Sequence, residues 1–219
     1  MFDIETFGNT LHTDFIGKKY VEVHDEVSST NDIAIALGKE AKIVEGTLII
    51  ADHQSAGRGR YGRTWQAPAG KCILASIVFR HRLKQEHVHL PNLIGALSIS
   101  QGINEITELN ARIKHPNDVR IAKKKVAGVL TELKYDKHRK PFFVLGFGVN
   151  VNISLHEFPV ELRQTATSLQ IATSKAGEIE ICRIKLLQSI LCHLERNYLL
   201  LKSGNIASII KQVSVWEEK

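Results

Sequence analysis

Gly57-Arg58-Gly59-Arg60-Tyr61-Gly62-Arg63-Thr64-Trp65-Gln66-Ala67-Pro68-Ala69-Gly70 is the stretch that decides the fold class. Its first six residues match the GxGxxG spacing of a dinucleotide-binding turn. That turn needs a helix to start on it, so that the helix N-terminus can hold a pyrophosphate. Gln66-Ala67-Pro68-Ala69-Gly70 cannot begin a helix, so the doubly wound reading fails on context. A P-loop fails too: Gly70-Lys71 is followed by Cys72 where a magnesium-binding hydroxyl is required, and the upstream glycine is missing. What remains is a flexible glycine loop carrying Arg58, Arg60 and Arg63. Glycine lets a backbone approach a ligand closely, and arginine offers planar, bidentate donors to phosphate or carboxylate. Such a loop either closes over a polyphosphate anion or forms a solvated, arginine-rich hairpin of the kind that binds nucleic acid.

Upstream of the loop, residues 20–27 alternate polar and apolar side chains and read as a strand. Ser29-Thr30-Asn31-Asp32 resembles a capping box opening a helix through Ile33, Ala34 and Leu37 that ends near Gly38. Residues 46–52 form a short apolar strand. Downstream, residues 72–79 (CILASIVF) are apolar on both faces and read as a central strand. Pro91 suits the first turn of a long helix running to about Leu109, with Leu93, Ile94, Leu97 and Ile103 on one buried face. A short strand at 111–114 is broken by Pro116 and Asn117. Residues 119–122 and 126–135 then read as a hairpin turning at Lys123 and Lys124. Residues 141–153 are another strand, with Gly146 and Gly148 inside it. Interior strand glycines mark bulges or the close approach of a ligand or another backbone. Residues 155–176 look irregular, 178–202 have helical periodicity, and 205–213 suit a short final helix. The order predicts an α+β fold with a mixed, largely antiparallel central sheet flanked by helices.

The chain has 219 residues, 43% hydrophobic and 24% charged, which suits one domain over residues 1–219 with an ordinary core. A formal net charge of +6 suggests an anionic partner: nucleotide phosphates, nucleic acid or an acidic protein. Cys72, Cys182 and Cys192 form no CxxC pair, so buried reduced thiols are expected rather than disulfides or a zinc site. The ten histidines make no HExxH or close pair, and no metal site is expected. The N-terminus lacks the basic and apolar regions of a signal peptide, and no apolar run is long enough to span a bilayer. A reducing, cytoplasmic location without membrane contact is the expectation.

Two further clusters bear on chemistry. Lys114-His115-Pro116-Asn117-Asp118, with Lys125-Val126-Ala127-Gly128 beyond it, crowds lysines, an amide and a carboxylate around a proline turn. Taken alone, an ordinary Pro-Asn-Asp turn explains it. Gly146-Phe147-Gly148-Val149-Asn150 could make room for a flat ligand beside the sheet.

Taken in order, these segments resemble the catalytic domain of biotin protein ligases. The family pattern runs Ser-Thr-Asn, Gln-x-x-Gly-Arg-Gly-Arg-x-Gly-Arg-x-Trp, Lys-Trp-Pro-Asn-Asp, Lys-x-x-Gly-(Ile/Val)-Leu and Gly-x-Gly-(Ile/Val)-Asn. This chain has Ser29-Thr30-Asn31, Gln54 with Gly57 to Trp65, Lys114 to Asp118, Lys125 to Leu130 and Gly146 to Asn150. The match spans about residues 20–155. His115 stands where the family usually has Trp, and Tyr61 where arginine is common. The resemblance implies a biotin/lipoate ligase fold akin to class II aminoacyl-tRNA synthetases. It also implies a catalytic domain without the N-terminal helix-turn-helix region and the SH3-like C-terminal domain of some relatives, hence no repressor activity.

The resemblance further implies an activity: biotin and MgATP form biotinyl-5′-AMP, and the biotinyl group passes to a lysine of a biotin carboxyl carrier domain. It assigns biotin to Ser29, Thr30, Asn31, Gln54, Gly57, Arg58, Gly59, Arg60, Lys125, Gly128, Gly146 and Gly148, and the nucleotide to Arg60, Arg63, Trp65, Asn117, Lys125 and Asn150. Lys125 and Arg60 would stabilise charge, with Lys114 in support. Asp118 would orient or deprotonate the acceptor lysine. Pairing of relatives through a sheet edge makes a homodimer one expected assembly. Two other readings stay open: a lipoate ligase or transferase of the same fold, and a nucleic-acid-binding module, against which stands the lack of aromatic interleaving beyond Tyr61 and Trp65.

Overall fold

A computed structural model describes residues 4–40, 43–173 and 180–218. Its strands are β1 (Val21–Val27), β2 (Leu48–Gln54), β3 (Cys72–Phe79), β4 (Arg112–Lys114), β5 (Asp118–Ile121), β6 (Lys124–Tyr135) and β7 (Pro141–Asn150). They form one sheet in the order β1-β2-β3-β7-β6-β5-β4. β1 and β2 run parallel and every other neighbouring pair is antiparallel. The fold is the α+β one that the sequence predicts. Helices α1 (Ile4–Thr10), α2 (Thr30–Lys39), α3 (Leu90–Thr107), α4 (Leu169–Thr173), α5 (Arg183–Lys202) and α6 (Ile206–Trp216) surround it. No helix among the described residues is long and apolar enough to cross a membrane.

The alternation of a strand assigns each residue to one of two faces. Phe143, Leu145, Phe147 and Val149 of β7 join the main core, with Ile73, Ala75, Ile77 and Phe79 of β3 and residues of α3 and α5. Phe142 and Val144 of β7 point the other way and pack with Val78, Ala34 and Ile35 beneath α2. Further along that second face stand Gly146, beneath Asn31 in the first turn of α2, and then Gly148, where the cover of helix has stopped. β3 is buried at all eight positions because it has neighbours on both sides and helices on both faces.

Several expectations need correcting. α3 does not bury a single face. Nearly its whole circumference is buried because it lies between the sheet and α5: Gly95 sits on Val129 and Leu145, and Gly102 sits on Ile190. It ends at Thr107, short of Leu109, because Glu108 turns into the left-handed region and Asn104 Oδ1 accepts the Ala111 amide at 2.8 Å. The β5–β6 turn falls on Ala122 and Lys123, both with positive φ, one residue earlier than expected. β2 lies two residues further along than expected, and β7 stops at Asn150. Irregular residues 155–173 include α4; 174–176 lie outside the described residues, as does the expected helix start at Glu178. Of the thiols only Cys72 is buried; Cys182 is exposed at the start of α5. The N-terminal helix α1 was not anticipated from the sequence.

Candidate active site

The uncovered part of the second sheet face is floored by two lateral rows. Leu74, Gly148 and Gly128 stand side by side on β3, β7 and β6, and Ser76, Gly146 and Leu130 form the next row. The glycines leave space that other parts of the chain enter. A Cβ on Gly148 would lie 2.5 Å from the Trp65 ring, and one on Gly128 would lie 3.2 Å from Lys125 Nζ and 3.3 Å from that ring. A Cβ on Gly146 would lie 1.8 Å from Asn31 Oδ1. The cleft above these rows is lined by Ser29, Thr30, Gln54, Arg60, Trp65 and Lys125, together with Arg58, Gly59, Asn31, Asn117 and the three glycines.

The start of α2 supplies one wall. The capping box expected there does not form: Ser29 occupies the N-cap without a side-chain bond to the helix. Its neighbours are engaged elsewhere. Gln54 Oε1 accepts from the Thr30 amide at 2.7 Å and the Thr30 hydroxyl at 2.9 Å. Ser76 Oγ lies 2.7 Å from the Thr30 hydroxyl and donates to Asn31 Oδ1 at 2.6 Å. Asn31 in turn donates to Glu132 Oε2 at 3.0 Å. Asp32, the supposed box partner, pairs with Arg58 at 2.8 Å. The polar groups that a cap would use are instead turned across the sheet, and the Ser29 hydroxyl, buried, lines the cleft.

The glycine loop supplies the opposite wall. Gly59 N–H donates to Arg63 O at 2.6 Å and Trp65 N–H to Gly57 O at 2.9 Å, around a turn where Tyr61 and Gly62 have positive φ. Arg60 reaches across the cleft and donates to Asn117 Oδ1 at 3.2 Å, while Asn117 donates to Val129 O at 2.8 Å. Arg60 has no carboxylate partner among the described residues. Its second contact is the Tyr61 hydroxyl at 3.0 Å. Lys125 pairs with Asp118 at 2.7 Å and lies 5.6 Å from the centre of the Trp65 ring. An irregularity in the β5–β6 register at Val119 and Arg120 lies opposite Lys125, which is where a bulge re-aims a side chain. The Trp65 indole N–H is buried with no acceptor among the described residues.

Of the residues the sequence singled out, these are brought together. Others are not. Asn150 lies buried away from the cleft, its amide donating to Thr167 O at 3.0 Å and its oxygen facing the Cys72 thiol. Lys114 and Arg63 are exposed and outside the cleft, though Arg63 borders the space on the outer side of the loop. Burial pushes the Cys72 thiol up to about 12, so it stays protonated and is no nucleophile. Sequence reasoning missed Ser76 and Glu132. The signal for Ser76 was available: it is the one polar residue in an otherwise apolar central strand. The described residues contain no group of His, Cys, Asp and Glu suited to a metal ion.

Comparison with known proteins gives a consistent picture. The model of the biotin/lipoate A/B protein ligase family matches residues 23–151. The Bifunctional ligase/repressor BirA of Bacillus subtilis is 37% identical over 188 residues, which is 86% of this chain and 56% of that protein. The Biotin--[acetyl-CoA-carboxylase] ligase of Mycobacterium tuberculosis is 33% identical over 163 residues, 70% of this chain and 56% of that protein. The chain thus spans little more than half the length of these relatives. Among solved structures, the biotin protein ligase of Aquifex aeolicus in complex with biotin and ATP superimposes with a TM-score of 0.70 at 31% identity, covering 84% of this chain and 72% of that one.

Proposed function

The chain belongs to the biotin/lipoate A/B protein ligase family, and on that premise we propose that it is an ATP-dependent biotin protein ligase. In the first step the biotin carboxylate attacks the α-phosphorus of ATP, and pyrophosphate leaves. In the second, a lysine amine of a biotin carboxyl carrier domain attacks the acyl carbon of biotinyl-5′-AMP, and AMP leaves. Neither step needs a nucleophile on the enzyme. Both need positioning and neutralisation of phosphate charge.

One observation carries the reading. Arg60 and Lys125 converge on a cleft floored by glycines, and among the described residues Arg60 is bound there only by neutral groups. A cationic donor held that way suits an anion arriving between the loop and the sheet. In this reading the bicyclic ring of biotin lies towards Ser29, Thr30 and Gln54, and the carboxylate and α-phosphate lie between Arg60 and Lys125. The indole N–H of Trp65, buried without an acceptor among the described residues, suits an acceptor on the ligand. Asp118, bonded to Lys125, orients or deprotonates the acceptor lysine. The carboxylates around the cleft are already paired with Arg58 or Lys125. Magnesium therefore enters as the counter-ion of ATP, held by phosphate oxygens and water. A cytoplasmic site of action fits the three unpaired thiols.

The test is calorimetric titration with biotin and with lipoate, followed by biotin-dependent ATP–pyrophosphate exchange in magnesium. Tight biotin binding with exchange is the expected result. Binding of lipoate in preference to biotin would overturn the substrate, and no binding of either would overturn the reading. Lys125→Ala should slow exchange by about 10²–10³-fold, the range for removing one donor that meets developing charge.

A further inference from the structure

The arginine-bearing turn of the glycine loop, residues 58–64, has no buried apolar side chain; Trp65, at its end, packs over Gly148 and Gly128. Of residues 57–65 only Gly57 is buried, and Tyr61 at its tip is 86% exposed. Hydrophobic burial does not hold residues 58–64 against the sheet, so polar tethers must. There are two. Arg60 donates to Asn117, a neutral contact within the cleft. Arg58 instead makes charged contacts to two separate elements: its Nη2 lies 2.8 Å from Asp32 Oδ1 on α2 and 2.7 Å from Glu132 Oε2 on β6, and its Nη1 lies 3.4 Å from Glu132 Oε1. Glu132 also meets Lys134 at 3.4 Å. Two cations therefore balance two anions, and Arg58 has no charge left over for a phosphate. Glu132 additionally accepts from Asn31, which fills the space over Gly146. One carboxylate therefore joins the loop to the floor of the cleft.

We propose that Asp32 and Glu132 are positioning residues that hold Arg58 as the latch of the glycine loop. The latch keeps the loop folded against the sheet without a ligand and retains the acyl-adenylate between the two half-reactions. The retention half of this inference rests on the adenylating reading above; the latch itself does not. Arg58 thereby differs in kind from Arg60: one arginine fixes the loop and the other meets the ligand.

Trypsin reads the latch directly, because Arg58, Arg60 and Arg63 are its targets and cleavage follows the population of the opened loop. Asp32→Asn and Asp32→Asn/Glu132→Gln leave all three arginines in place. Without ligand, loop cleavage relative to wild type should rise by about threefold in the single variant and about tenfold in the double, as expected for one and two partly exposed ion pairs. Asp32→Glu, which keeps the charge, should restore slow cleavage. With biotin and ATP, the double variant should release a larger share of adenylate into solution before transfer, with the biotin KM rising more than kcat falls. Unchanged loop cleavage in the double variant, or a rise shared equally by sites far from the loop, would overturn the latch. The side chain of Asp32 is half exposed, so the single variant gives the answer even if the double fails to fold. Wild-type protein without exchange activity would remove the substrate reading while leaving the proteolysis result intact.

Discussion

The two faces of the sheet are made from the same strands and do opposite work. On one, Phe143, Leu145, Phe147 and Val149 of β7 are sealed beneath α3 and α5. On the other, their immediate neighbours Gly146 and Gly148 make room for Asn31 and Trp65. Because side chains alternate, Leu145 and Phe147 of the core are each followed by a glycine that shapes the cleft. The site is therefore built on a rigid element, with the core as its backing, rather than on loops alone. The glycines lose burial area on their own face, and the packing of the opposite face offsets that loss.

Adjacent substitutions in β7 should separate the two roles. Leu145→Ala removes a fully buried side chain that meets Gly95 of α3. It should lower unfolding free energy by about 2–5 kcal/mol in urea titration, with biotin affinity per folded molecule unchanged. A large loss of affinity in the folded variant would show that the faces are coupled. Gly146→Ala should do the reverse. Its Cβ would displace Asn31, which cannot swing aside cheaply because Ser76, Glu132 and the Leu130 carbonyl all hold it. Biotin affinity should fall by about tenfold, equivalent to about 1.4 kcal/mol, with a smaller loss of stability. Wild-type affinity in Gly146→Ala would mean that Asn31 does not shape the cleft.

The division between faces also explains what could be read from the sequence. The α+β class and the central position of β3 were legible because they follow from periodicity and from Gln66-Ala67-Pro68-Ala69-Gly70, which cannot start a helix. The five motif segments were legible as a set, and the structure brings Ser29, Thr30, Gln54, Arg60, Trp65, Asn117 and Lys125 to one cleft. What was not legible depended on partners distant in sequence. Ser29-Thr30-Asn31-Asp32 has the local pattern of a cap, but Gln54, Ser76, Glu132 and Arg58 compete for its polar groups. Asn150 ends a motif yet turns to Thr167. α3 reads as amphipathic until α5, nearly a hundred residues on, covers its far side.

The smallest effect expected concerns a region remote from the cleft, where a carboxylate is used for structure alone. At the β6–β7 turn Asp136 accepts N–H bonds from His138 and Lys140, each at 2.9 Å, and pairs with Arg80 at 3.1 Å. The Lys140 and His138 amides and the Arg80 guanidinium together hold its carboxyl below the usual aspartate range. A depressed folded-state value means that ionised Asp136 favours the native state above the unfolded value of about 3.9, and that this contribution is lost as pH falls through the lower folded value. Asp136→Asn has no such proton to gain. Its thermal midpoint should sit slightly below wild type at neutral pH, and the gap should close as the solution is acidified below about pH 4. Biotin binding should be unaffected at neutral pH, because the turn touches the closed end of β7 and not the glycine end. A gap that widened in acid would mean that Asp136 is protonated in the native state, and that Arg80 is held by the Ile43, Gly38 and Glu40 carbonyls rather than by charge.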